Sequence, residues 1–253
     1  MDEVKLNKIT DYLEEYLAVA EFTDDSWNGL QFEGKSDVKH IATAVDASID
    51  SFSEAARIKA DMLIVHHGQF WKQANPSFSS WQKKRLDILF ENSLSLYVSH
   101  LPLDKHPEVG NNAQLLKLLG AEVTDDFHIS NGQSVGWIGK IKETPLTEIV
   151  EVLNTKLSAE SRVLSFGSKT IRSIGVCSGG AGMQGFFEAI ESGVDLYISG
   201  DPVYVDTVAK DAGVNVIFAG HYETETVGVR ALGDHLAEKY NLEHTFIDLP
   251  PTK

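Results

Sequence analysis

The stretch DMLIVHHGQFW, residues 61–71, decides how the rest of the chain is read. An apolar run from Met62 to Val65 ends abruptly in two histidines, a glycine and two aromatics. A short continuous apolar run suits a strand buried on both faces, as in a parallel sheet covered by helices. The segments around it alternate in period. HIATAVDAS (40–48) reads as a strand, IDSFSEAARIKA (49–60) as a helix, SSWQKKRLDILFENS (79–93) as a helix, LSLYVSH (94–100) as a strand and GNNAQLLKLLGAE (110–122) as a helix. That alternation predicts βαβ units and an α/β class. Upstream, the spacing of Leu6, Ile9, Leu13 and Leu17 predicts an amphipathic helix. TDDSWNGLQFEGKSD (23–37) reads as a polar loop carrying the cluster Trp27 to Gln31.

The order of elements then recurs. After a strand-like SVGWIGKIKE (134–143) and a helix opened by Pro145, a second series follows. IRSIGVCSG, VDLYISGDP and VNVIFAGH read as strands, separated by helical MQGFFEAIESG and VYVDTVAKDAG and followed by a long helix to Tyr240. Laying the halves side by side brings Asp61 to Asp195 and His67 to Asp201. It also sets SLYVSHLPLD beside NVIFAGHYETE, where His100 and Asp104, and His221 and Glu225, are each four residues apart. We read an internal pseudo-repeat: two related α/β lobes, 1–127 and 128–253, with mixed or parallel sheets flanked by helices. Ligands of open α/β sheets bind at the carboxyl ends of strands, so a site is expected between the lobes.

Composition limits the function. With 253 residues and 42% hydrophobic content the chain can bury a substantial core. Its apolar runs fall short of the roughly 20 residues of a membrane span, and its acidic, amphipathic start is unlike a secretion signal, so a cytoplasmic, membrane-free protein is expected. Cys177 is the single cysteine, which excludes an intrachain disulfide and a cysteine-based zinc cluster. A net charge of −15 argues against specific nucleic-acid binding, although a phosphorylated small molecule can still be accepted through a metal.

The strand-end polar groups carry the chemistry. Imidazole and carboxylate together suit divalent transition metals, and carboxylates can bridge two ions. A His-His pair alone also fits a turn histidine beside a core histidine, but the two His-x3-carboxylate pairs at like topological positions favour metal. His40, His106, His128, His235 and His244 lack such company and are expected on the surface or on helix flanks. Cys177 fits a buried structural thiol or a nucleophile. The loop CSGGAGMQG fits a phosphate-cradling turn or a plain strand-to-helix turn. Phe70 and Trp71 either wall a base-stacking pocket or cap the core.

LIVHHGQFW, SHLPLD followed by GNNAQLLKLLG, FAGHYETETVGVRAL and WNGLQFEG together resemble the NIF-three-like family, also called GTP cyclohydrolase type 2-like, in its short form. The resemblance implies two α/β lobes around a dinuclear metal centre and a toroidal homohexamer. By motif it implies His66, His67, Asp104, His221 and Glu225 as metal ligands: one ion on His67 and Asp104, the other on His66 and His221, with Glu225 bridging. The two divalent ions per subunit would be Fe, Mn, Zn or Ni. His100 matches a position lining the site and is the candidate catalytic acid or base. Asn111, Asn112 and the Gly179–Gly182 loop are expected to hold polar or anionic substrate groups. Three functions fit: a metal-dependent hydrolase acting on GTP, another nucleotide or a related heterocycle; a non-catalytic metal-binding or metal-delivery protein; and a regulatory ring.

Overall fold

The computed structural model describes residues 3–73 and 77–251. It divides into two compact units, Met1–Leu103 with Val229–Lys253, and Asp104–Gly228. No helix among the described residues is long and apolar enough to cross a membrane.

The first unit is built on a five-stranded sheet in the order Glu243–Phe246, His40–Asp46, Met62–His67, Ser95–Val98, Gly29–Phe32. The first four strands are parallel and the last is antiparallel to its neighbour. Met62, Leu63, Ile64 and Val65 are fully buried, as a helix-covered parallel strand requires. Phe52 and Ala55 of helix Ile49–Arg57 and Leu89 of helix Ser80–Asn92 join Leu63, Val65, Leu96 and Val98 in one apolar cluster. The first of these helices starts in a capping box: Ser48 and Ser51 each accept the other's backbone N–H through the side-chain hydroxyl, at 3.0 and 2.9 Å. Helix Leu6–Tyr16 buries Leu6, Ile9 and Leu13 at the predicted spacing.

The second unit carries a six-stranded sheet, Glu122–Ser130, Gln133–Pro145, Thr170–Cys177, Leu196–Ser199, Asn215–Phe218, Arg162–Ser165. Its three strands from Thr170 to Phe218 are parallel and the flanking pairs are antiparallel. Leu146, Ile149, Leu153 and Leu157 form the buried stripe of helix Leu146–Leu157 and pack with Ile171, Ile174, Leu196 and Ile198.

The two units share a plan. Each has three parallel strands in chain order with an antiparallel strand beside the third. In each, an aspartate just before the second strand ties down the start of the first. Asp61 Oδ2 accepts the N–H groups of Lys39 and His40 at 2.9 and 3.2 Å; Asp195 Oδ2 accepts those of Arg172 and Ser173 at 2.8 and 3.1 Å. The register also sets Asp201 where His67 stands, since Val65 and Ser199 hold corresponding places on their strands.

Three differences from the sequence reading emerge. The compact units are not divided at 127/128, because that boundary cuts strand Glu122–Ser130 inside a hairpin, and strand Glu243–Phe246 pairs with His40–Asp46 in the first unit. The hairpin turns at Asn131 and Gly132, both with positive φ, an Asn-Gly signal for a two-residue turn. The segment 23–37 is not all loop, since Gly29–Phe32 is an edge strand. Finally, His100 and His221 are offset by one residue: Val98 and Phe218 correspond in register, which puts His100 opposite Gly220.

Candidate metal centre

Three histidines gather at the carboxyl ends of the parallel strands in the first unit. His66 is fully buried, and its Nδ1 donates to the carbonyl of Ser99 at 3.0 Å. A carbonyl only accepts, so the proton sits on Nδ1 and the Nε2 lone pair is the one that can bind a cation. His67 faces Asp46 across the strand pair, and its Nδ1 lies 2.8 Å from the Asp46 carboxylate. His100, two residues beyond strand Ser95–Val98, has Nδ1 2.9 and 3.1 Å from the two oxygens of Asp24. Ring centroids are 4.7 Å apart for His66 and His67, 4.9 Å for His66 and His100, and 5.7 Å for His67 and His100. One nitrogen from each ring lies within 4.8 Å of the other two. Orienting a ligating imidazole through its second nitrogen is the usual support of a metal site.

Asp24 anchors this arrangement from the loop before the edge strand. It is buried and also accepts from Asn28 Nδ2 at 2.9 Å and from the N–H groups of Ser26 and Leu101 at 3.0 Å each. Burial alone would raise its carboxyl pKa, but the hydrogen bonds from His100, Asn28 and Ser26 hold it well below the usual carboxylate range. Asn28 accepts the backbone N–H of His100 at 2.7 Å through its other end. Gln31 accepts the N–H of Gln69 at 2.8 Å, and Gly68 between them is packed so closely that a Cβ would meet Gln31 and Val98 at 2.6 Å. The WNGLQ segment thus clamps the turn that follows the two histidines.

The second unit gathers carboxylates. His221 opens helix His221–Tyr240, with Nδ1 2.9 Å from Asp201 and Nε2 3.2 Å from Glu225 one turn on. The hydrogen bond that the ring donates to Glu225, opposed by burial and reinforced by the Glu225 charge and by the hydrogen bond to Asp201 and its charge, leaves the imidazole pKa pushed up to about 10. Asp104 is buried and accepts Asn111 Nδ2 and Ser178 Oγ on one oxygen, each at 2.9 Å. Gly179 has φ +57, and a Cβ there would press on Glu225 Oε1 and stand 3.1 Å from His221 Nε2. Imidazole and carboxylate donors around a backbone that only glycine allows fit a divalent cation.

A family model described as Duf34/NIF3 (NGG1p interacting factor 3) matches residues 4–253. The chain belongs to the Duf34/NIF3 family. Among its curated relatives, proteins named GTP cyclohydrolase 1 type 2 homolog are 41% identical over 249 residues in Archaeoglobus fulgidus and 44% identical over 247 residues in Pyrococcus horikoshii. These alignments cover 98% of this chain and 99% of the first relative, and 96% of this chain and 98% of the second. Two solved structures share the fold over nearly full length. The one titled protein ybgI, unknown function, has a TM-score of 0.91 at 36% identity, covering 99% of this chain and 100% of that one. The protein TTHA1606 from Thermus thermophilus has a TM-score of 0.89 at 34% identity, with the same coverage of 99% and 100%.

Within this Duf34/NIF3 chain, His66, His67 and His100 come together, and so do His221 and Glu225. Asn111 and Asn112 do not line an open site as expected. Both are fully buried, and their amides hold Asp104, Val135, Ser178 and Gly228 backbone or side-chain atoms. Gly179 likewise spends its carbonyl on the N–H groups of Gly200 and Asp201. His40 and His128 are buried on strands rather than at the surface or on a helix flank, and His106 is buried on the flank of helix Leu101–Lys105. His40 bonds Thr245 at 2.9 Å, and His244 bonds Thr43 at 2.9 Å and Asp234 at 2.8 Å, which fastens the last strand to the sheet. Cys177 is a buried thiol, its pKa raised first by burial and then by the Asp104, Glu225 and Glu188 charges. Asp24, Asp46 and Ser178 escaped sequence reasoning, because a loop or strand-end carboxylate has no signature until its partner histidine is placed.

Proposed function

We propose that this chain is a dinuclear divalent-metal hydrolase acting on a nucleotide or related heterocycle. His66, His67, Asp104, His221 and Glu225 would hold the ions. The observation that carries the reading is the histidine trio of the first unit, each ring braced through Nδ1 by Ser99, Asp46 or Asp24. A bound divalent ion supplies Lewis acidity and acidifies water at its open positions. Asp46 and Asp24 fix the tautomers of His67 and His100, and His100 moves the proton at Nε2 as general acid or base. In ring opening of GTP, the attack would fall on C8 of the purine. The reading carries with it a cytoplasmic, membrane-free homohexamer, in keeping with the family resemblance, and with no specific nucleic-acid partner at a net charge of −15.

Elemental analysis tests the centre. Purified protein should carry about two divalent ions per chain, and His66→Ala with Glu225→Ala should remove them. Metal-free wild type, or unchanged metal in the double variant, refutes the centre. Incubation of the Mn, Fe or Zn form with GTP should yield a fluorescent pterin after oxidation. A second reading, a metal-holding or metal-delivery protein without turnover, is favoured by the crowding of three imidazoles within 4.8 Å, which leaves less room for a reacting water. Metal-loaded protein that leaves a broad nucleotide panel unchanged selects that reading.

A further inference from the structure

The first unit contains a cleft of about 710 Å³ that the metal reading does not use. Five aromatic side chains border it. Trp27, Phe78 and Trp81 are 60, 57 and 52% exposed, and Phe70 and Trp71 stand behind them. Isolated exposed aromatics are ordinary, whereas several converging on one concavity mark a binding site. Trp71 connects the cleft to the histidines: its ring is edge-on to His100 at 5.1 Å and 6.1 Å from His67, and its indole N–H donates to the Gly68 carbonyl at 3.1 Å.

The charge of the lining is the second observation. The whole chain carries −15, yet among the described residues the charged ones lining this cleft are Lys72 and Arg85, with no acid. Arg85 is half-buried, its guanidinium 4.9 Å over the Trp81 ring and donating to Gln69 Oε1 at 3.0 Å. The planar fork is thereby held in place with donor edges to spare for an anion. The amides, by contrast, are largely committed. Asn28 bonds Asp24 and the His100 N–H, and Gln31 bonds the Gln69 N–H and donates to the Trp27 carbonyl at 2.5 Å. Few polar groups remain to read the edge of a base.

We propose that this cleft is a stacking subsite for a planar heteroaromatic ring bearing an anionic tail, such as a nucleotide. The ring is recognised by its face and the tail by Arg85 and Lys72. The inference rests on the metal-hydrolase reading only for its position beside the histidines, and it names that centre's substrate class: nucleotides with little preference for the base. Stacking on aromatic side chains tolerates any base for this reason.

Trp27, Trp71 and Trp81 are three of the four tryptophans, so intrinsic fluorescence reports on the cleft directly. Full-length protein kept in EDTA is titrated with GMP, AMP, guanosine and inorganic phosphate. GMP and AMP should quench saturably with affinities within about tenfold of each other, guanosine more weakly, and phosphate not at all. Trp81→Ala should weaken GMP roughly 5- to 150-fold, and Arg85→Gln should abolish the preference for GMP over guanosine. Both variants should retain the metal content of the wild type. Absence of quenching, affinities unmoved in both variants, or guanine preferred more than about a hundredfold overturns the proposal. So does a Trp81→Ala protein that binds normally but loses subunit mass in sedimentation, since the cleft is then a subunit contact. Quenching without metal uptake refutes the metal centre alone, and metal uptake without quenching refutes the cleft alone.

Discussion

Removing the Asp61 carboxylate should cost the first unit about 2 to 3 kcal/mol. Asp61 is 9% exposed and holds the start of the His40–Asp46 strand through the N–H groups of Lys39 and His40, while Lys35 Nζ reaches its other oxygen at 2.7 Å. Hydrogen bonds to a charged acceptor contribute about 1.5 to 3 kcal/mol, and a deserted buried N–H costs about 1 to 3 kcal/mol. The Lys35 pair adds little, since its side chain is half exposed and screened. For a chain of this size, each kcal/mol lowers Tm by about 2 to 4 °C, so Asp61→Ala should melt roughly 5 to 10 °C lower. Asp61→Asn should fall less, because an amide oxygen can still accept the two N–H groups. Burial alone would raise the Asp61 pKa, but the Lys35, Lys39 and His40 hydrogen bonds lower it below the ordinary value of about 3.9. A depressed carboxyl stabilises the fold above that value, and the contribution is lost as pH falls through the folded-state pKa. Scanning calorimetry should therefore show the gap between wild type and Asp61→Ala held at neutral pH and narrowing as the pH falls below about 4. A gap below about 0.5 kcal/mol at pH 7, or one that widens with acid, would refute the reasoning.

Three further outcomes follow from single side chains. Asn112→Ala strips partners from the Ser178 N–H and the Val135 carbonyl and should destabilise by about 3 kcal/mol in chemical denaturation, with an unchanged m-value. Gly179→Ala forces a Cβ against Glu225 at a positive φ and should reduce metal content while far-UV circular dichroism stays native. Cys177, buried and with its pKa raised, should resist an aromatic disulfide reagent at pH 8 in the native state and react promptly in denaturant; rapid native labelling would contradict the buried assignment.

Most of the regular elements were legible because they obey short-range rules. The apolar run Met62–Val65, the spacing of Leu6, Ile9 and Leu13 and the helix opened by Pro145 each announce their structure within a few residues. The edge strands Gly29–Phe32, Arg162–Ser165 and Glu243–Phe246 were not legible, since four residues paired on one side carry too little pattern. The hairpin at Asn131 and Gly132 does carry a local signal, in the Asn-Gly pair itself. Of the candidate ligands, His66 and His67 stood out by adjacency and His221 and Glu225 by helical spacing, but the braces Asp24 and Asp46 did not.

The amino-acid sequence by itself determined the α/β class, the family and the residue types fit to hold metal, because periodicity and motif are local properties. Tertiary structure alone decided that His67 is braced by Asp46, 21 residues away, and His100 by Asp24, 76 residues away. It also decided that the chain's last strand lies in the first unit, and that His100 and His221 are one register step apart. Strand pairing and burial are long-range choices, made by whichever arrangement covers the most apolar surface while leaving the polar groups bonded.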